Sequence, residues 1–217
     1  MLDTLKPRKF LSIGRDDLPH VGDISKPYFV TVGCSYSAGT HLDYKDVWCD
    51  VMAKKLKLQH VNLSFPGSSL EYQHDKIVES EKILSDAKFI VWMQTHPERS
   101  HRKFLSYFIG DGNARVLFDI TDDDHAKAWY KVQMMCDSVK HKKIVITNSW
   151  HWNNKIKLLV KNKICKKNKN YFFNKHEKID LAHDNSHAGP KSHLVIANEL
   201  TEHILKHFPD WVKESTI

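Results

Sequence analysis

A chain of 217 residues suits one domain with a substantial core and leaves little room for a second. Hydrophobic residues make up 41% and charged residues 27%, which excludes a disordered chain, and no apolar run approaches the roughly 20 residues needed to cross a bilayer. The formal charge of +7 raises a nucleic-acid reading, but much of the excess sits in one stretch, Lys155 to Lys169, which reads as a solvated face or a local patch for an anionic partner. The first twenty residues are polar and lack the apolar core of a signal peptide, so a cytoplasmic protein without a transmembrane segment is expected. Cys34, Cys49, Cys136 and Cys165 show no CxxC spacing, which argues against a zinc knuckle or a disulfide framework and fits reduced thiols.

Residues 1–26 read as an N-terminal arm and residues 27–217 as a single domain. Tyr28 to Gly33 (YFVTVG) is β-branched and aromatic and ends in glycine, the pattern of a buried strand. Asp46 to Leu58 follows as a helix, with Val47, Val51, Met52, Leu56 and Leu58 making one apolar face. His60 to Leu63 is a second short strand, closed by the turn Phe65-Pro66-Gly67. Ser68 or Ser69 caps a helix running to about Ser85, with Glu71 near the place of a capping-box acid. Lys88 to Met93 is a third strand, apolar throughout but for its lysine.

Beyond it, Gly110-Asp111-Gly112-Asn113 marks a loop, Asp122 to Val139 a helix, and Lys143 to Asn148 a fourth strand. A fifth, short strand is expected near Tyr171 to Phe173 or just before Asp180. Gly189-Pro190 opens a last helix carrying Leu194, Ala197, Leu200, Ile204 and Leu205 at helical spacing. Apolar strands separated by helices indicate an α/β fold with a parallel sheet covered on both faces. In such sheets ligands bind beyond the carboxyl ends of the strands, so the loops there are where chemistry is sought.

Three of those loops carry it. Gly33-Cys34-Ser35-Tyr36-Ser37-Ala38-Gly39 follows the first strand, and a serine in a glycine-flanked strand-to-helix turn presents its hydroxyl outward beside free backbone N–H groups. Asn62 to Ser69 follows the second strand, and Gly67 there offers an N–H with no side chain in the way, or serves simply as a turn glycine. Asp184-Asn185-Ser186-His187 precedes the last helix. An aspartate three residues before a histidine in a loop can reach Nδ1 and leave Nε2 for a serine.

Gly33-Cys34-Ser35-Tyr36-Ser37, Phe65-Pro66-Gly67 and Asp184-xx-His187 resemble the first, second and fifth sequence blocks of the SGNH (GDSL-type) hydrolase superfamily, in the same order along a chain of similar length. The resemblance spans roughly Tyr28 to Leu205. It implies a flavodoxin-like three-layer α/β/α sandwich with a parallel five-stranded sheet, and hydrolysis of ester bonds, often of small acyl groups such as O-acetyl. It further implies Ser35 as nucleophile, His187 as general acid/base, Asp184 as its orienting carboxylate, and the Ser35 and Gly67 N–H groups as oxyanion donors, with no metal or organic cofactor. Its partner would be a small-molecule ester, including an acylated carbohydrate or lipid.

Two departures stand out. Cys34 occupies the place of the family's usual Asp before the nucleophile. The third block, where the family carries Gly-x-Asn-Asp, reads Met93-Gln94-Thr95-His96-Pro97-Glu98-Arg99, so a replacement oxyanion donor falls to Gln94 or Thr95. Losing one such donor costs roughly 10²–10³ in rate.

Other readings of the same residues compete. Cys34 reads as a thiol nucleophile or a small core residue. His183, His187 and His193 with Asp184 read as a metal site or as loop and helix residues. Arg99 reads as a contact for a substrate anion or as a structural ion pair, and Trp150 and Trp152 as pocket lining or as core. At the level of the chain the alternatives are a catalytically weakened binding module of the same fold, and a nucleic-acid binder working through Lys161, Lys163, Lys166 and Lys167.

Overall fold

The computed structural model describes residues 22–97, 132–139, 142–150, 152, 157–158, 161–162 and 168–213. β1 (Tyr28–Val32), β2 (Gln59–Asn62), β3 (Ile90–Gln94), β4 (Ile144–Asn148) and β5 (Tyr171–Phe172) form one sheet in the order β2-β1-β3-β4-β5, every pairing parallel. That is the flavodoxin-like strand order, with its switch point between β1 and β3. β1, β3 and β4 are buried along their whole length, which is why they read as unbroken apolar runs rather than alternating ones.

Alternation within each strand separates two cores. Phe29, Val91, Met93 and Val145 point to the layer of α2 (Trp48–Leu56) and the long C-terminal helix, where Met52, Leu56, Ile196, Leu200 and Ile204 are buried. Val30, Val32, Ile90, Trp92, Ile144 and Ile146 point to the opposite layer, built from α3 (Leu70–Glu79), α4 (Glu81–Asp86) and α5 (helical residues 132–138), with Leu70, Ile77, Leu84 and Val132. Also described are α1 (Ser35–Ala38), α6 (Pro190–His207) and α7 (Pro209–Val212), with further helical residues at 157–158 and 161–162. Pro190 at the first turn of α6 and buried residues at 196, 200 and 204 account for its start and its inward face. The result is the expected three-layer sandwich.

Several boundaries differ from expectation. Asp46 closes a 3₁₀ turn (Tyr44–Asp46), and α2 begins after Val47, which is extended at φ −73°, ψ 135°. The helix expected up to Ser85 is two helices, because Ser80 leaves helical geometry at ψ 23° and its carbonyl then accepts from Ile83 and Leu84 to start α4. Ser69 is the cap of α3, accepting from the Tyr72 N–H at 3.2 Å, while Ser68 is used elsewhere. Residues 22–26, read as part of the arm, lie on the sheet edge: Gly22 N–H donates to the β2 carbonyl of His60 at 3.0 Å. The rest of the arm, the loop around Gly110–Asn113, the first part of the helix expected from Asp122, Arg99 and most of Lys155–Lys169 lie outside the described residues. Among the described residues no helix is long and apolar enough to cross a membrane.

Candidate active site

Ser35 is the first residue of α1, directly beyond β1, with Cys34 in extended conformation before it and Gly39 closing the turn at φ 74°. Gly33 is required by contact: a Cβ there would lie 2.7 Å from Ser37 Cβ. Cys34 is fully buried among Tyr36, Trp48 and Trp150, and its thiol makes no capping hydrogen bond. It fills core space directly before the serine.

The Asp184–His187 loop is closed at its base by an antiparallel bridge between Leu181 and Ala188 and by the Ala182 N–H donating to the His187 carbonyl at 2.9 Å. Asn185 turns the tip at φ 54°. Within the loop, Asp184 Oδ1 accepts from the Ser186 and His187 N–H groups at 3.1 and 3.0 Å, and Oδ2 meets His187 Nδ1 at 2.5 Å. Asp180 anchors the loop to α6 by accepting the Lys191 and Ser192 N–H groups, both at 2.9 Å.

The two segments, 152 positions apart, meet: His187 Nε2 lies 2.9 Å from Ser35 Oγ. Burial works to raise the Asp184 pKa, but the hydrogen bonds from the His187 ring and backbone and from Ser186 outweigh it and hold the carboxyl well below the usual carboxylate range. An ionised carboxylate only accepts, so the His187 proton belongs on Nδ1 and Nε2 is left to accept from the Ser35 hydroxyl. Tyr36 packs against the imidazole with ring centroids 5.2 Å apart, and Trp150 packs behind Tyr36 at 5.4 Å.

The other nominated residues fall into place around this line. Gly67 sits in its turn at φ 78°, which favours glycine there. Neither its N–H nor that of Ser35 donates to any group among the described residues. Gln94 is turned to the far face of the sheet, with its amide on Cys136 Sγ (3.5 Å) and its Oε1 accepting from the Tyr171 hydroxyl (3.3 Å). Its side chain is therefore spent in the core, a correction to its nomination as an oxyanion donor. Thr95 is fully buried, its N–H held by Gln73 Oε1 at 3.2 Å, and its hydroxyl has no hydrogen-bond partner.

Trp150 and Trp152 are 5% and 3% exposed, and Trp152 Nε1 donates to the Gln94 and Thr95 carbonyls. Among the described residues they pack within the protein and support the loops from inside. His193, weighed as a metal ligand or a helix residue, is buried and accepts the Trp48 N–H on Nδ1 at 3.0 Å, which caps α2. Burial drives its pKa down to about 3, so it is neutral. A groove between Lys26, Lys57, Lys88 and Lys213 lies at the opposite, amino-terminal end of the strands.

Sequence reasoning missed the roles of His41, Asn62 and Gln73, and read Ser68 only as a possible helix cap. His41 has φ 61° and holds Nε2 3.8 Å from Asp184 Oδ2, a second imidazole beside the carboxylate. Asn62 donates to the Ser37 carbonyl at 2.8 Å and accepts from Ser64 N–H and Thr31 hydroxyl, bracing α1 from below. Gln73 and Ser68 form a similar brace on the other side. The only local signal was negative: polar residues on otherwise apolar faces.

No family model matches the chain, and no curated protein matches its sequence. Solved structures do resemble it. A family two carbohydrate esterase from Clostridium thermocellum, solved with cellohexaose, superposes with a TM-score of 0.54 at 12% identity, over 89% of this chain and 66% of its own. An acetyl xylan esterase from Butyrivibrio proteoclasticus gives 0.52 at 14%, over 85% and 65%. A G-D-S-L family lipolytic protein structure from Desulfitobacterium hafniense gives 0.52 at 10% identity, over 81% of this chain and 98% of its own. The chain thus spans just under two thirds of the two carbohydrate esterases and nearly all of the third protein. Its fold is the one these three proteins share.

Proposed function

We propose that this chain is a serine hydrolase of carboxylic esters. The observation that carries the reading is the unbroken line Ser35 Oγ–His187–Asp184, with contacts of 2.9 and 2.5 Å, at the carboxyl end of β1. In this reading the Ser35 oxygen bonds to the ester carbonyl carbon while its proton passes to His187 Nε2. Asp184, ionised at neutral pH, keeps the ring oriented and stabilises the imidazolium. The tetrahedral intermediate expels the alcohol as its C–O bond breaks and His187 returns the proton to the leaving oxygen. Water, deprotonated by the same nitrogen, then cleaves the acyl-enzyme and restores the Ser35 hydroxyl.

The negative oxygen of each intermediate faces the Ser35 and Gly67 N–H groups, which no other described group engages. Thr95 supplies the third donor, since its hydroxyl is unpartnered beyond β3 and the Gln94 amide is committed elsewhere. The wall of Tyr36 against His187 favours a short acyl group, and the carbohydrate esterases among its structural neighbours favour an O-acyl sugar as the alcohol part. Ser35→Ala is expected to abolish p-nitrophenyl acetate turnover and fluorophosphonate labelling, with folding unchanged. Turnover at the wild-type rate would sink the proposal.

A second reading is favoured by one observation, that the Gln94 amide of the third block is turned to Cys136 and Tyr171 in the core. A carbohydrate-binding module that has lost its chemistry would show saturable sugar binding without labelling of Ser35.

A further inference from the structure

Ser35 and Gly67 stand on different loops, and two backbone N–H groups stabilise one oxygen only if their loops keep a fixed mutual position. Gly33 carries the joint. Its carbonyl accepts twice from the second-block loop: from the Phe65 N–H at 3.0 Å and from the Ser68 hydroxyl at 3.0 Å. The first bond continues the β1–β2 ladder past the end of β2. The second comes from the residue directly after Gly67.

The Ser68 hydroxyl has one proton and gives it to Gly33, so its orientation depends on what it accepts. That is the amide of Gln73, which donates from Nε2 at 2.9 Å from one turn inside α3. The same amide faces β3 with its oxygen, where Oε1 accepts from the Trp92 indole at 3.0 Å and from the Thr95 N–H at 3.2 Å. Ser68 is 1% exposed and Gln73 fully buried, so water does not compete for these bonds. One side chain thus ties together the ends of β1, β2 and β3, the three places from which the proposed oxyanion donors come. Trp92 fixes the amide's orientation as well, because an indole only donates and must face the oxygen.

Resting on the serine-hydrolase reading above, we propose that Gln73, acting through Ser68, is a positioning residue that holds the Ser35 and Gly67 turns and the Thr95 backbone in register for oxyanion stabilisation. Removing it leaves His187 and Asp184 in place and loosens the turns that carry the donors. The cost therefore falls on turnover, where charge develops on the carbonyl oxygen, and not on binding of the neutral ester.

The test compares wild type, Ser35→Ala, Gln73→Leu, Ser68→Ala, Ser68→Thr and the Ser68→Ala/Gln73→Leu double variant on p-nitrophenyl acetate, with thermal melting alongside. Gln73→Leu and Ser68→Ala are each expected to lower kcat about 10- to 100-fold, within the range for a misplaced oxyanion donor, with KM within about twofold. Ser68→Thr keeps the hydroxyl and should recover most of the loss. The double variant should lose no more than its worse parent, because both act through one chain of bonds. Should Gln73→Leu fail to fold, Ser68→Ala and its threonine rescue carry the comparison.

Wild-type kcat in folded Ser68→Ala, or losses that multiply in the double variant, would overturn the positioning role while leaving the Ser35 reading intact. Turnover that persists in Ser35→Ala would instead remove the hydrolase reading and this proposal with it.

Discussion

Ser35 stands on a turn whose supports are buried and come from far along the chain, whereas Asp184 and His187 stand on a surface loop whose supports are almost all their own neighbours. Beneath Ser35, Asn62 reaches the Ser37 carbonyl across 25 positions, and Gln73 reaches the Gly33 carbonyl through Ser68. Around His187, the bonds run from Asp184, Ser186, Ala182 and Asp180, within a dozen residues. The two systems meet at the bond between the Ser35 hydroxyl and the His187 ring, and at His41, whose carbonyl accepts the His183 N–H. The nucleophile's geometry is thus inseparable from the packed end of the sheet, while the base is adjustable without disturbing it. Changes in the first region should move stability and rate together, and changes in the second should move rate, touching stability only through the charge that Asp184 holds.

The largest effect that sharpens this contrast is expected from Asp184→Asn. Its Oδ1 acceptor survives for Ser186 and His187, so the loop keeps its shape, but the neutral amide no longer dictates a proton on His187 Nδ1. Turnover should fall by about 10³–10⁴, the scale of this substitution in a Ser-His-Asp triad, with a melting temperature close to wild type at low pH. The pH dependence has a definite sign. A carboxyl whose folded pKa lies below its unfolded value contributes stability that is present above about 3.8 and lost as pH falls below it. Wild type should therefore exceed Asp184→Asn in stability at neutral pH, and the gap should close on acidification below that point. A gap that widens towards acid would show that Asp184 is not held ionised by the loop.

His193 tests the buried side, and its effect is on stability. Its Nδ1 accepts the Trp48 N–H, and α2 has no side-chain cap from its own N-cap residue. His193→Phe keeps an aromatic against Trp150, 5.2 Å away, but leaves that N–H without a partner, at a cost of about 1–3 kcal/mol. The folded histidine resists protonation down to about pH 3, whereas the unfolded one takes a proton near 6.5. Wild-type stability should thus fall with pH between those values, by up to about 1.4 kcal/mol per unit from this group. The variant lacks that slope, so its deficit should shrink from pH 7 to pH 4 in denaturant titrations. A deficit independent of pH would mean that His193 is not the buried neutral acceptor described.

The sequence exposes these regions unequally. Three strands are legible because a parallel sheet covered on both faces needs apolar runs, and Tyr28–Val32, Ile90–Gln94 and Ile144–Asn148 supply them, whereas the two-residue β5 leaves two places open, near Tyr171–Phe173 or just before Asp180. The Asp184–His187 loop is legible because its bonds are local and its spacing of three carries the geometry. The braces under Ser35 were not. A buried glutamine such as Gln73 looks like a polar interruption of a helix until the partners Trp92 and Thr95, 19 and 22 residues away, come into view. The misreading of Gln94 has the same origin. Position 94 alternates with Met93 to the far face of the sheet, and register at a strand end decides by one residue whether an amide points into a core or out of the strand. His193 was open to a metal reading or a helix reading, and only its burial and its bond to the Trp48 N–H show that it is a helix cap.

The smallest effect is expected at the loop tip. Asn185 is exposed and holds φ 54°, a conformation that asparagine tolerates and alanine enters at about 1–2 kcal/mol. In the packed half of the site, strain of that size would be subtracted from global stability. In a loop held by its own bonds, the strain is relieved by opening the Leu181–Ala188 bridge while the sheet stays intact. Asn185→Ala should therefore lower kcat a few-fold and leave the melting temperature within a degree or two. It should also speed amide exchange at Ala182 and Gly189, whose N–H groups donate to His187 and Asp180 across the loop's base. Asn185→Gly, which carries no such strain, should restore both. A fall in the melting temperature matching the full strain, with exchange at those two amides unchanged, would show that the loop unfolds only with the sheet and that the two halves of the site share one cooperative support.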